Sequence, residues 1–199
     1  MSEKTILKLQ LPTDPTWVKN VVESNIEEIL TDHAFCEQKA ASNAITLVVQ
    51  NPNLSDLVQE MIALAQEELE HFKRVHDIII QRGFVLGRER KDDYVGELQK
   101  FMKKGGNRTD QLVDRLLFSA MIEARSCERF KVLSENIGDT SLAEFYYELM
   151  VSEATHYATF IRLAKKYADG IDVDKRWKEY LEHEAVVIQN YGKQERIHG

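Results

Sequence analysis

Proline is nearly missing from this chain, three in 199 residues beside nine glycines, and so few breakers leave room for long uninterrupted helices. Cysteine is almost as scarce. Cys36 and Cys127 form no CxxC or zinc-ribbon spacing, which excludes a disulfide scaffold and reads as two reduced thiols. No stretch approaches the roughly 20 consecutive apolar residues needed to cross a bilayer, so no membrane segment is expected. Met1-Ser2-Glu3-Lys4-Thr5 has no apolar run behind it and does not read as a secretory leader, so a cytoplasmic location is expected. Positive charge is short as well: the net charge is −7, which argues against a general nucleic-acid coat. What is plentiful is apolar residues, 43% of the chain. A single domain of this length buries roughly 70% of its unfolded surface.

The charge is unevenly spread. From Arg82 to Arg108 stand Arg82, Arg88, Arg90, Lys91, Lys100, Lys103, Lys104 and Arg108 against only Glu89, Asp92, Asp93 and Glu97. A solvated connector has the same composition, so charge alone does not decide its role.

Apolar residues recur at helical spacing in four long stretches. Asp14-Pro15 reads as a helix start, followed by Val18, Val22, Ile26, Leu30, Ala34, Ala41, Ala44 and Val48, with Asn51-Pro52-Asn53 as the stop. A second run goes from Leu54 to Ile79 and ends at Gly83. Residues 85–107 are turn-rich, with a short helix expected near 94–103. A third helix opens at Thr109 or Asp110, and a fourth runs from Leu142 to Ala164. Asp172 or Asp174 then caps a last helix near 175–190. No segment reads as a strand. The expected fold is all-α: a ferritin-like four-helix bundle with a long crossover and an extra C-terminal helix. It is expected as one domain over 1–199, with hairpin one about 14–82, a basic crossover about 83–108, hairpin two about 109–169 and the C-terminal helix about 174–191.

Glu68-Leu69-Glu70-His71 and Glu153-Ala154-Thr155-His156 are both Glu-x-x-His. On a helix, residues three apart lie about one turn apart on adjoining rows, so both side chains reach one metal ion. One such match is cheap; Glu195-Arg196-Ile197-His198 is another, with no partner helix, and is set aside. The partners raise the first two above chance. Glu37 precedes Glu68, and Glu123 precedes Glu153, by nearly the same interval, and each hairpin turn falls midway. The second glutamate therefore returns to the height of the first, roughly 20 Å from the turn. The ligand positions 37, 68 and 71 recur at 123, 153 and 156, an internal repeat. All lie on apolar stripes, where unpaired carboxylates would carry several kcal/mol of desolvation each. Two divalent cations balance four carboxylates. Carboxylates with imidazoles suit iron or manganese; iron is preferred, with Glu37, Glu68 and His71 mainly on one ion, Glu123, Glu153 and His156 on the other, and some glutamates bridging. His33, one turn before Glu37, and Tyr157, beside His156, are second-shell candidates, with plain core packing as the alternative for both. The same alternative holds for Cys127 and for the stripe Tyr146, Tyr147 and Met150.

Four strings carry a resemblance: Asp32-His33-Ala34-Phe35-Cys36-Glu37-Gln38-Lys39-Ala40-Ala41-Ser42, Glu67-Glu68-Leu69-Glu70-His71-Phe72, Met121-Ile122-Glu123-Ala124-Arg125-Ser126-Cys127-Glu128-Arg129-Phe130 and Ser152-Glu153-Ala154-Thr155-His156-Tyr157. Over roughly 11–191 the chain resembles the tRNA 2-methylthio-isopentenyladenosine hydroxylases. The resemblance implies a monooxygenase with two Fe ions and O2 as co-substrate, acting on the isopentenyl group of a modified adenosine in the tRNA anticodon stem-loop. It places the six ligands on Glu37, Glu68, His71, Glu123, Glu153 and His156. Two electrons must come from an external ferredoxin- or flavin-type reductase, since the chain has no motif for such a cofactor of its own. Under this reading Arg88, Arg90, Lys100, Lys103, Lys104 and Arg108 become candidate tRNA contacts. The competing readings are a rubrerythrin-like peroxidase, another di-iron oxidase on a small molecule, and a non-catalytic iron-binding protein. The sequence sets no oligomeric state.

Overall fold

Three side chains mark where helices begin: Asp92 accepts from the Val95 backbone N–H, Asn107 from Asp110 and Asp139 from Leu142, each quenching one of the free donors of a first turn. They open α3 (Asp93–Phe101), α4 (Arg108–Asn136) and α5 (Thr140–Tyr167). Before them come α1 (Ile26–Gln50) and α2 (Ser55–Gln81), and after them α6 (Val173–Tyr191). The computed structural model describes residues 6–191 and 197, and among these no strand is present. They fall into two compact units.

One unit holds α1, α2 and the segment that follows them to Lys91, together with Ile197. Asn51 closes the α1–α2 hairpin, with its backbone N–H on Leu47 and Val48 and its side-chain amide on Leu47. Gly83 ends α2 at φ +73°, where a side chain would be strained. The chain then runs beside α1: Gly87 N–H donates to Thr31 Oγ1, and Arg90 reaches Glu28. Ile29, Leu30, Ala34, Ala44 and Leu47 of α1 and Leu57, Met61, Val75 and Ile79 of α2 are buried. Ile197 is buried too, its N–H on Asp32 Oδ2 at 2.9 Å. The flanking residues of the Glu195–His198 match lie outside the described residues.

The other unit holds residues 6–24 and α3 to α6. α4 and α5 form its hairpin, and α6 packs on both α3 and α4. The helix expected from Asp14-Pro15 is not continuous with α1. A π-helical turn spans Val18–Val22 and packs on α4. The break has a physical cause: Trp17, Val18 and Val22 are buried in this unit, and the Glu23 carboxylate takes the Gly138 N–H at 2.7 Å. Asn25, at φ −138° and ψ 40°, then leaves helical geometry. The remaining expected boundaries fall within a few residues of those observed.

Candidate metal centre

In the first unit, α1 supplies Glu37 and α2 supplies Glu68 and His71, all at most 5% exposed. One ligand atom from each lies within 4.8 Å of the others. His71 Nδ1 is 3.2 Å from Glu68 Oε2 and 3.7 Å from Glu37 Oε2, and His33 Nε2 is 2.7 Å from Glu37 Oε1. Burial by itself would raise the Glu37 carboxyl, but the imidazoles of His33 and His71 outweigh it and hold Glu37 well below the usual carboxylate range. Burial would lower His71, yet Glu37 and Glu68 lift it to about 10. The cluster gathers carboxylate charge that a metal ion could balance; without one, a proton on imidazole takes part of that role.

The second unit repeats the arrangement. α4 supplies Glu123, and α5 supplies Glu153 and His156, again at most 5% exposed and with ligand atoms within 4.8 Å of one another. His156 Nδ1 is 3.6 Å from Glu153 Oε2. Cys127 donates its thiol to the Met150 carbonyl at 3.3 Å, and burial, with the charges of Glu153 and Glu128, pushes that thiol up to about 12. It therefore remains a neutral thiol and not the thiolate that binds metal. Each unit thus offers two carboxylates and one imidazole, buried and convergent. That hard oxygen and nitrogen set fits iron or manganese and does not fit a cysteine-based structural zinc site.

A sequence profile described as tRNA-(MS[2]IO[6]A)-hydroxylase (MiaE) matches residues 1–199 of the chain. The chain belongs to this family. Among MiaE relatives, a tRNA 2-(methylsulfanyl)-N(6)-isopentenyladenosine(37) hydroxylase of Pseudomonas putida is 35% identical over 96% of this chain and 91% of its own length. The enzyme of the same name from Salmonella typhimurium is 27% identical over 96% of this chain and 87% of its own. A solved structure, protein 43 with aldehyde deformylating oxygenase activity from Synechococcus, superposes with a TM-score of 0.87 at 30% identity, over 96% of this chain and 95% of that one. The fold is accordingly ferritin-like, and the chain is an enzyme of the MiaE hydroxylase type. No described helix is long and apolar enough to cross a membrane.

For the other residues singled out in the sequence, the structure separates contact from coincidence. His33 touches Glu37, a member of the buried carboxylate–imidazole cluster. Tyr157 is half-buried, with its ring 5.6 Å from that of Trp177 on α6. Tyr146 is buried between Phe130 and Phe145, whereas Tyr147 is exposed. Arg90 is paired with Glu28, and Lys100 with Glu97. Arg88, Lys103, Lys104 and Arg108 are exposed.

Sequence reasoning missed a buried charge network. Arg125, fully buried, reaches Glu184 Oε1 through Nε and Nη2 at 2.9 and 2.6 Å, Glu128 Oε2 at 2.8 Å and the Leu11 carbonyl. The Tyr94 hydroxyl donates to Glu184, and Thr13 donates twice to Glu128. The network ties α3, α6 and the N-terminal segment to α4, the helix that carries Glu123. Its one sequence signal was the run of charge at Arg125, Glu128 and Arg129 among Met121, Ala124, Cys127 and Phe130; nothing marked Glu184.

Proposed function

We propose that this chain hydroxylates the isopentenyl group of (methylthio-)isopentenyladenosine next to the tRNA anticodon, with two irons, O2 and an external two-electron donor. The observation that carries the reading is that each hairpin buries the same Glu plus Glu-x-x-His set, in a chain that matches the MiaE family from end to end. Glu37, Glu68 and His71 would mainly hold one ion, and Glu123, Glu153 and His156 mainly the other. When bound, the iron pair supplies the O2 activation that no side chain provides. The protein's own part is to hold these side chains fixed and buried: the imidazoles of His33 and His71 keep Glu37 ionised, and His33 orients it. Exposed cations, Lys103 and Lys104 foremost, contact the RNA phosphates, and a ferredoxin- or flavin-type reductase delivers the electrons.

The test incubates iron-loaded protein with tRNA carrying the isopentenyl nucleoside, reductant and O2, then analyses the digested nucleosides by mass spectrometry. A gain of one oxygen, lost in Glu123→Ala, is the expected result. The competing reading, an oxygenase acting on a small molecule, draws on the Synechococcus neighbour's aldehyde activity. Product from a long-chain aldehyde, and none from tRNA, would move the assignment there.

A further inference from the structure

The segment 103–108, Lys-Lys-Gly-Gly-Asn-Arg, has three cations, no acid and six exposed residues. Surface loops of this composition ordinarily sample many conformations. This one is tied to protein side chains at both ends. At its start, buried Asp114 on α4 accepts the Lys103 backbone N–H at 2.7 Å. The same carboxylate is gripped by Arg176 of α6 through Nε and Nη2 and by the Tyr180 hydroxyl. Arg176 also donates to the Phe101 carbonyl at 2.9 Å while its guanidinium lies over the Phe101 ring. At the other end, the Gln111 side chain donates to the Gly106 carbonyl, and Asn107 caps α4. Between these anchors Gly105 and Gly106 take φ +87° and +91°, where a side chain is strained.

We propose that 103–108 is a pre-shaped phosphate-contacting loop for the tRNA backbone and that Asp114 is its positioning residue. The inference rests on the tRNA reading above. Asp114 suits the task because Arg176 neutralises its charge and burial hides it, so it steers the loop without repelling RNA. Lys103, Lys104 and Arg108 are then presented at fixed spacing, and little of their binding is lost to ordering the backbone.

The experiment measures binding of a fluorescein-labelled anticodon stem-loop to the iron-loaded full chain across a salt series, alongside hydroxylation of whole tRNA. Lys103→Gln with Lys104→Gln should lower the slope of log affinity against log salt by about 1.5, two cations at roughly 0.7–0.9 each. Asp114→Asn keeps every loop cation. It should weaken binding about fivefold with the wild-type salt slope, raising KM for tRNA and leaving kcat unchanged. Wild-type affinity in Asp114→Asn overturns the positioning role, and an unchanged slope in the lysine pair overturns the loop. If wild-type protein neither binds nor hydroxylates tRNA, the parent reading has failed and this one with it; hydroxylation by wild type with no effect of either variant sinks the loop alone. Should Asp114→Asn fail to fold, Gly105→Ala with Gly106→Ala distorts the loop from outside the core and carries the same expectation.

Discussion

His33 Nε2 stands 2.7 Å from Glu37 Oε1, one turn earlier on α1, and both side chains are buried. An outer imidazole in this position fixes the carboxylate's orientation, and losing such a partner typically weakens a metal site 10–100-fold. His33→Ala should therefore keep its helical content and melt as a folded protein, yet bind ferrous iron at least about tenfold more weakly at the Glu37 set. Anaerobic iron titration decides it; equal affinity would make His33 a packing residue only.

His71 supplies a proton signal. Its pKa stands at about 10 against 6.5 for a free imidazole. The stabilisation from that extra proton is complete below pH 6.5 and is lost as pH rises towards 10. A metal requires the neutral ring, so ferrous iron added at pH 8 should release this proton. A pH indicator in weakly buffered anaerobic solution should show about one proton fewer released by His71→Ala. Identical release from both proteins would contradict the assignment of His71 as a ligand.

The two thiols should differ sharply. Cys36 is partly exposed and Cys127 buried, and the Cys127 thiol, pushed up to about 12, stays protonated at pH 8. Iodoacetamide on the native protein should label Cys36 and spare Cys127, with both labelled in denaturant. From about pH 9 to 12 the folded chain holds a proton that the unfolded chain gives up, so Cys127 lowers stability there. Cys127→Ala should flatten that alkaline loss. Peptide mass spectrometry and melting curves against pH report the two effects.

Glu184 should be structural. Removing its carboxylate leaves Arg125 buried with part of its charge uncompensated, which costs about 3–5 kcal/mol. Glu184→Ala should lower Tm by roughly 6–20 °C for a chain of this size. Glu184→Gln keeps an acceptor and should fall between the two. A shift of a degree or less in the alanine variant would mean that the network contributes nothing.

The two buried carboxylate–imidazole clusters were legible because their geometry is local. Three residues along a helix is a fixed distance, so Glu68 with His71 and Glu153 with His156 were readable as neighbouring pairs, and so as candidate metal pairs, before any fold was known. The recurrence of Glu37 as Glu123 needed only the rise per residue and the turn positions. The start of α1 was not legible. Val18 and Val22 fit the same helical period as Ile26 and Leu30, and periodicity does not report that the first two are buried in a different unit. Tyr157 shows the same limit: adjacency to His156 in the chain says little about contact, because the next residue on a helix points elsewhere, here towards Trp177.

The sequence by itself determined an all-helical chain with two repeated carboxylate–imidazole clusters, because helical period and i, i+3 spacing are short-range and written in consecutive residues. Glu128, three residues on along α4, is a local partner of Arg125; only the tertiary structure decided that Glu184 also neutralises it and that Asp114 anchors Lys103. Those partners lie 59 and 11 residues away, and Thr13 meets Glu128 across 115. A buried charge requires a partner, but any carboxylate the fold can bring within hydrogen-bonding reach will serve, so the choice is made by packing and leaves no pattern along the chain.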